Sequence, residues 1–525
     1  MENAGKYILA IDLGTSGPKV VLATPMGRIV GASVTETPVI FLPDGGVEQD
    51  PEAWWQAVVQ GTRQVLAETA VSPQQIAAIS CTAQWSGTVA VDAAGKPLMN
   101  AIIWMDTRGE PYVKQITDGL IRVSGYGVHK IVPWLRLTGG MPTHAGKDPI
   151  AHILYIQDKH PDIFAATHKF LEPKDYLNLR LAGRFAASYD SIILHWLTDN
   201  RDINRITYSD KLLRMAGLPR EKFPDLRPAV DILGPLHPAA AADLGLSTDV
   251  QVVMGTPDLH SAALGSGAVQ DYAGHIYIGT SCWITCHVPF KKTDIFTNIA
   301  SLPSPIPGRY FVADEQEVGG AALAFLQKNL FFAQDALLQT AVPPNIYPLM
   351  DEIAAGVPAG SDGLIFTPWL VGERTPVEDH LVRGGFYNLQ LQHTRAHLVR
   401  AALEGVALNA RWLLGAVERF VKRPFPHLNF IGGGAQSALW SQILADVLNR
   451  PIRQMVDPIQ ANARGAAILA GVALGYTTFD AVAEQVAVTQ EYQPNPANRA
   501  IYNEMYAAFR DIYKRNRSIY ARLNT

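Results

Sequence analysis

The chain has 525 residues, 48% of them hydrophobic and 18% charged, with a formal net charge of −4. A length of this order asks for at least two domains and the composition for an ordered, well-buried interior, while a nearly balanced charge without any Lys/Arg-rich block excludes the electrostatic footprint of a nucleic-acid partner. Cys81, Cys282 and Cys286 form neither a CxxC pair nor an even framework, as expected of buried thiols in a reducing cytoplasm, and there is neither room for a signal peptide before Tyr7 nor an apolar run of the ~18 residues that a membrane span needs.

The first predicted element is the apolar run YILAIDLG, residues 7–14, a buried strand that PKVVLATP pairs with; GRIVGASVTETPV offers a third strand. In DPEAWWQAVVQGTRQVLAET, Asp50 is placed to cap a helix that Pro51 begins. IAAISCTAQ is a strand, and GTVAVDAAGKPLMNAIIWMDTR reads as strand, turn, strand. This alternation predicts a mixed sheet flanked by helices. Residues 110–235 are more helical and more irregular, with the helix of EPKDYLNLRLAG closed by Gly183. VQVVMGTPD is again a strand, and a helix starts from Asp258.

At HIYIGTSCWITCHV, residues 275–288, the strand, Gly-Thr-Ser, strand pattern of the N-terminus restarts, so two halves of related architecture are expected. Beyond it come a glycine-started helix in VGGAALAFLQKNLFF, a strand running into a loop in GLIFTPWLVGERTP, and the long amphipathic helix TRAHLVRAALEGVALNARWLLGAVERF. HLNFIGGGAQSALWSQILADVLNRPI reads as strand, glycine loop, helix; NARGAAILAGVALG is a helix; the segment from 481 on reads as helical.

Several residue groups in this frame can carry chemistry. Gly14 permits a tight turn, Thr15 and Ser16 add hydroxyls beside exposed amides, and Lys19 adds a positive charge, which together suit a phosphate. Taken alone, the same turn also reads as an ordinary hairpin. Asp12 ends an apolar strand, so its charge must be paired or must meet a cation, and Mg²⁺ beside a phosphate turn or a turn-capping bond are the two readings. Asp258 is either a simple helix N-cap or a carboxylate facing a cleft that accepts a hydroxyl proton. FIGGGAQSALW lets a flat ring or a phosphate lie on backbone, or merely packs a helix on a strand; its spacing is not G-x-G-x-x-G, and no G-x-x-x-x-G-K-[ST] exists. Trp104 and Asp106 with Arg108, and Gln84 and Trp85 with Ser86, end two strands with groups that can bind a sugar, or that simply pair with each other. His260 stands without a metal-ligand cluster.

The ordered set IDLGTSGPKVV, AIIWMDTRG, EPKDYLNLRLAGRFAASYDS, GTPDLHSAALGSGA, YIGTSCW, FTPWLVGERTP, IGGGAQSALWSQILADVLNRPI and ARGAAILAGVALG resembles the FGGY carbohydrate kinases, and within them the xylulokinase-like members, over nearly the whole chain. The resemblance implies an α/β fold of two actin-like (ribonuclease H-like) ATPase domains with a cleft between them. An N-terminal domain, 1–266, would hold the sugar, the γ-phosphate and the metal; a C-terminal domain, 267–480, the nucleotide; and a helical segment, 481–525, would pack on both. The activity implied is ATP-dependent phosphorylation of a sugar or polyol hydroxyl, with D-xylulose to D-xylulose 5-phosphate the nearest example and other ketoses, pentitols, tetritols or sugar acids as alternatives.

Carried onto this chain, the resemblance makes Asp12 the organiser of Mg²⁺ and puts Gly14, Thr15, Ser16 and Lys19 near the γ-phosphate. Gly279 and Thr280 would touch the inner phosphates of ATP, and Gly320, Gly433, Gly434 and Ala438 would lie along the nucleotide. Asp258 would be the general base, and Gln84, Trp85, Trp104 and Asp106 would line the sugar pocket. A small-molecule partner, no nucleic acid, no membrane and room for a homodimer are implied. The departures fall at the sugar: Gln84-Trp85-Ser86 stands where xylulokinases have Gln-Met-His and glycerol kinases Arg-Glu, and Leu259 follows the base where glycerol kinases have Asn or Gln. An actin- or chaperone-like ATPase is the rival within the same superfamily, and a sensor without catalysis is a second.

Overall fold

The computed structural model describes residues 5–123, 125–333, 335 and 341–524. Its first sheet has six strands. In chain order they are β1 (Tyr7–Gly14), β2 (Gly17–Ala23), β3 (Ile29–Val34), β4 (Ile76–Ala83), β5 (Ile232–Pro235) and β6 (Gln251–Val253). Across the sheet the order is β5-β6-β4-β1-β2-β3, with β4 parallel to β1, β6 parallel to β4, and β2, β3 and β5 antiparallel to their neighbours. Ile8, Leu9, Ala10, Ile11 and Leu13 are all fully buried, because helices cover both faces of the central strand, and that is why the run is continuously apolar instead of alternating.

The second sheet has eight strands: β7 (Gly274–Ile278), β8 (Cys282–Val288), β9 (Thr293–Asp294), β10 (Ile299–Pro303), β11 (Tyr310–Ala313), β12 (Leu428–Ile431), β13 (Ile452–Met455) and β14 (Val488–Tyr492). Its middle repeats the first sheet. β7 and β8 form an antiparallel hairpin as β1 and β2 do, and β12 and β13 add in parallel beside β7 as β4 and β6 add beside β1. The restart seen in the sequence is therefore a duplication of topology.

Helix α1 (Pro51–Thr69) starts as expected, the Asp50 side chain accepting from Glu52 N at 2.9 Å, and it buries Trp54, Trp55, Val58 and Val65 on the first sheet. Helix α2 (Pro173–Ala182) ends at Gly183 in the left-handed conformation. Helix α3 (Asp258–Gly265) follows β6. In the second half, α4 (Ala321–Phe325) continues into a π-turn over Leu326–Phe331, and α5 (Arg395–Val421) runs through the second core. α6 (Ala438–Leu448), α7 (Ala461–Ala473) and α8 (Arg499–Leu523) complete the set used below. The segment from 481 on is not helical throughout: β14 pairs antiparallel with β13 before α8 begins. Its Val488 and Tyr492 are strand formers, and the edge of the sheet supplies the hydrogen bonds that local helix propensity would otherwise win.

Helix α7 belongs by chain position to the second half, yet Ala463, Ala466, Ala467 and Ala470 pack on Ile8, Ala10, Val21 and Ala78 of the first sheet. It crosses α3 at backbone contact. A Cβ on Gly265 would lie 1.7 Å from the Ala461 carbonyl oxygen, and one on Gly465 would lie 1.9 Å from that of Ser261. Arg464 is buried in the same joint, donating to the carbonyls of Gly27 at 3.3 Å and Gly265 at 3.2 Å. This joint locks the second half onto the first sheet. The three cysteines are buried and unpaired, and burial pushes the Cys81 thiol up to about 12. Among the described residues no helix is long and apolar enough to cross a membrane.

Candidate active site

The β1–β2 hairpin closes on Thr15 and Ser16, with Gly14 opposite Gly17 and Asp12 opposite Lys19. Gly17 is the residue the turn requires: its φ is +130°, and a Cβ would lie 2.1 Å from the Thr35 carbonyl oxygen. The sequence signal for it was there, a second glycine three residues after Gly14, but only the register shows its need. The amides of Thr15 and Ser16 donate to no acceptor among the described residues, nor do those of Thr280 and Ser281 in the β7–β8 turn. Two tight turns, each with two successive free N–H groups, make two anion-binding concavities.

The Thr15 hydroxyl has another task. It donates to Gln84 Oε1 and accepts from Trp104 Nε1, both at 3.0 Å. Gln84 Nε2 donates to Gln49 Oε1 at 2.8 Å, and Gln49 Nε2 returns to the Thr15 carbonyl at 2.9 Å. This closed ring ties the first turn to Gln84 and Trp104, so the polar wall beside it and the turn move as one unit. Gln49 escaped the sequence reading because it ends a three-residue strand with no motif around it.

Asp12 is 2% exposed, and one of its oxygens, Oδ2, lies 3.4 Å from Lys19 Nζ. Its other oxygen makes no hydrogen bond among the described residues. No group of three or more His, Cys, Asp or Glu side chains stands ready to hold a metal among the described residues. One carboxylate oxygen beside a phosphate turn fits a hard cation that takes its remaining ligands from phosphate and water, as Mg²⁺ does.

Asp258 is not the N-cap of its helix. Pro257 holds that position, Asp258 is the first helical residue, and among the described residues its carboxylate accepts only from Leu259 N, at 2.8 Å. Its charge interacts with groups from both halves of the chain. Burial first, then the nearby charge of Asp12, pushes it up to about 7. Glu315, from the second half, acts on it in the same direction, and Lys19 against it. A carboxyl with its proton affinity moved near neutral pH is of the kind that can serve as a general acid or base.

The loop that carries Asp258 is held from beneath by residues in EPKDYLNLRLAG. Lys174 Nζ, 2% exposed, pairs with Asp175 and donates to the Met254 carbonyl at 3.1 Å. Asn178 donates to the same carbonyl at 2.7 Å, and Thr256 bonds Asp190. Glu172 Oε2 accepts from Gly87 N at 3.0 Å, which fixes the turn where Ser86 sits at φ +66°. Trp85 donates to the Ser191 carbonyl at 2.9 Å and stands edge-on to the His260 ring at 5.0 Å. Lys174 and Asp175 are buried charges inside a helix and so must be paired, but burial is set by tertiary packing and no sequence motif marked them.

Asp106 takes a different place. Arg108 clamps it, with Nε at 3.0 Å from Oδ2, and Val47 N donates to the same oxygen at 2.8 Å. Arg108 also reaches Glu48 at 2.7 Å and lies over the Tyr155 ring. Both oxygens of Asp106 are occupied within the protein, so it positions the strand end that carries Trp104 and is not among the groups turned to the crevice. In the second half, Gly320 N donates to the Gly279 carbonyl at 2.7 Å and Gly319 N to that of Thr280 at 2.8 Å, which joins the start of α4 to the second turn. Gly434 lies against Ile278, where a Cβ would come within 3.0 Å of that side chain, while nothing lies near Gly433. Ala438 opens α6 behind the Ser437 cap. Gly279, Thr280, Gly320, Gly433 and Gly434 thus gather at the ends of β7 and β12, with Ala438 a turn further away.

Residues 7–265 match the model of the FGGY family of carbohydrate kinases, N-terminal domain, and residues 274–474 that of its C-terminal domain. The chain is 29% identical over 99% of both chains to a xylulose kinase of Staphylococcus epidermidis, and 28% identical to a gluconokinase of Bacillus subtilis over 96% of this chain and 94% of that one. The ligand-bound xylulose kinase of Lactobacillus acidophilus superposes with a TM-score of 0.85 at 24% identity, covering 99% of this chain and all of that one.

Proposed function

Because the chain belongs to the FGGY family of carbohydrate kinases, we propose that it transfers the γ-phosphoryl group of ATP to a hydroxyl of a ketopentose, with D-xylulose as the first acceptor. The observation that carries this reading is Asp258: a carboxyl pushed up to about 7, free of its own helix cap, and close enough to Asp12 of the first free-amide turn for that charge to act on it. In the reaction it takes the acceptor's hydroxyl proton while that oxygen bonds to the γ-phosphorus, the bridging P–O bond breaks, and ADP leaves. The N–H groups of Thr15 and Ser16, with Lys19, meet the charge on the transferred group; those of Thr280 and Ser281 meet the inner phosphates. Phosphoryl transfer asks for little covalent chemistry from a protein, so positioning and charge neutralisation carry the rate. Asp12 would hold Mg²⁺ through the oxygen that Lys19 leaves free, and the ion would supply neutralisation of phosphate charge.

The acceptor wall consists of Gln84, Trp85 and Trp104, with Asp106 behind it. Trp85 and Trp104 offer apolar faces to a sugar ring or chain, and Gln84 an amide already tied to the phosphate turn. The gluconokinase among the relatives puts an aldonate into the same test. A coupled assay of ADP release with ATP and Mg²⁺ over ketopentoses, ketohexoses, pentitols, tetritols and aldonates decides it. The expected result is the highest kcat/KM with D-xylulose. A different winner moves the acceptor, and ATP consumption indifferent to every acceptor overturns the reading.

A further inference from the structure

The duplicated hairpins carry different chemistry at one equivalent position. Two residues before the turn glycine, the first has Asp12 and the second has Tyr277. Across the hairpin Asp12 faces Lys19 and Tyr277 faces Trp283. The first pair is ionic, at 3.4 Å; the second is a parallel ring stack with centroids 4.0 Å apart and planes 5° off parallel. Residues that alternate along a strand share a face, so Tyr277 leans over Gly279. A Cβ on Gly279 would lie 2.3 Å from the phenol oxygen, and one on Gly432 would lie 3.1 Å from the ring. Gly279 is thereby explained by this side chain; at Gly432 a φ of +89° and the Ile278 carbonyl oxygen, 2.6 Å from an added Cβ, already require glycine. The ring lies against Trp283, Gly279 and Gly432.

The hydroxyl at its tip has no hydrogen-bond partner among the described residues. It stands beside the second turn, and burial first, then the charges of Asp258 and Asp12, raise its pKa above that of a free phenol. It is therefore a neutral donor throughout the working pH range. A rigid donor that meets no partner among the described residues, set beside a free-amide turn, is pre-organised for an anion. We propose that Tyr277 is a substrate-contacting residue whose phenol donates a hydrogen bond to an oxygen of the phosphoryl group passing from nucleotide to acceptor. This rests on the kinase reading above.

Tyr277→Phe keeps the stack on Trp283 and removes only the donor. In the full-length protein with Mg²⁺, isothermal titration gives the affinities for ADP and for the non-hydrolysable imido analogue of ATP. The variant is expected to bind ADP as the wild type does, to lose about tenfold toward the triphosphate analogue, and to lose about 100-fold in kcat with the best acceptor, with KM for that acceptor unchanged. Unchanged kcat together with an unchanged ratio of the two affinities overturns the proposal. So does an equal loss toward both nucleotides with a lowered Tm, which marks a structural role. The affinity ratio needs no acceptor: a wild type that binds both nucleotides but phosphorylates nothing sinks the kinase reading, while the ratio still judges Tyr277. A wild type that binds neither nucleotide sinks both.

Discussion

The Trp104 indole donates to the Thr15 hydroxyl at 3.0 Å, across 89 residues of sequence. The bond couples Trp104 and Gln84, the proposed acceptor wall, to the β1–β2 turn proposed to hold phosphate, since the same hydroxyl donates onward to Gln84. Trp104→Phe keeps the aromatic face and removes the donor. A loss of about fivefold to tenfold in kcat/KM is expected, felt with both ATP and the acceptor varied, because a single hydrogen bond contributes about 1 kcal/mol. Steady-state kinetics over both substrates checks it; a loss confined to the acceptor would mean that the coupling is absent.

Asp258 predicts a pH profile. Its folded pKa is raised to about 7 from 3.8, and the base works only when ionised, so kcat/KM should rise with pH through about 7. Asp258→Asn should lose that limb together with at least about 100-fold in kcat and still bind ADP. The stability sign is the reverse of the usual carboxylate case. A raised folded pKa means that ionisation is penalised in the fold, so the wild type loses stability as pH climbs from about 4 to 8. The Asn variant should therefore match the wild type in Tm near pH 4 and exceed it at pH 8, as expected where function strains a site. Thermal melts at the two pH values decide.

Lys174→Met leaves Asp175 buried without its partner and frees the Met254 carbonyl. Breaking one side of a buried pair costs about 3 kcal/mol or more. Urea unfolding should show this loss of stability, and kcat should fall as the loop bearing Asp258 loosens. An unchanged unfolding midpoint would show that Asp175 finds another partner.

Gly465→Ala tests the joint between α3 and α7. The added methyl would sit 1.9 Å from the Ser261 carbonyl oxygen, and backbone cannot give way as a side chain tip can. A loss of about 2 kcal/mol or more is expected. Gly356→Ala is the control, because its nearest neighbour is 3.7 Å away at ordinary contact distance and its φ is −75°. Calorimetry of the two variants should separate them; equal Tm values would place the helix contact elsewhere.

What the chain determined by itself is whatever is written locally. Continuous apolar runs made β1 and β7 identifiable, Asp50-Pro51 marked the start of α1, and Gly183 the end of α2. The two Gly-Thr-Ser turns were legible as turns, and the strand alternation as a mixed sheet, because periods of two and 3.6 residues are properties of neighbouring positions. The tail misled for the same reason, since β14 exists only through pairing with β13. Tertiary structure alone decided which polar groups meet. Register puts Asp12 opposite Lys19 and Tyr277 opposite Trp283. Helix packing across Gly265 and Gly465 joins the second half to the helix that carries Asp258. Burial beside Asp12 moves Asp258 toward neutrality, while Arg108 takes Asp106 out of play. Hydrogen bonds and fields depend on distance in space, and distance in space between residues far apart in the chain is set by sheet register and domain packing, which no local spacing encodes.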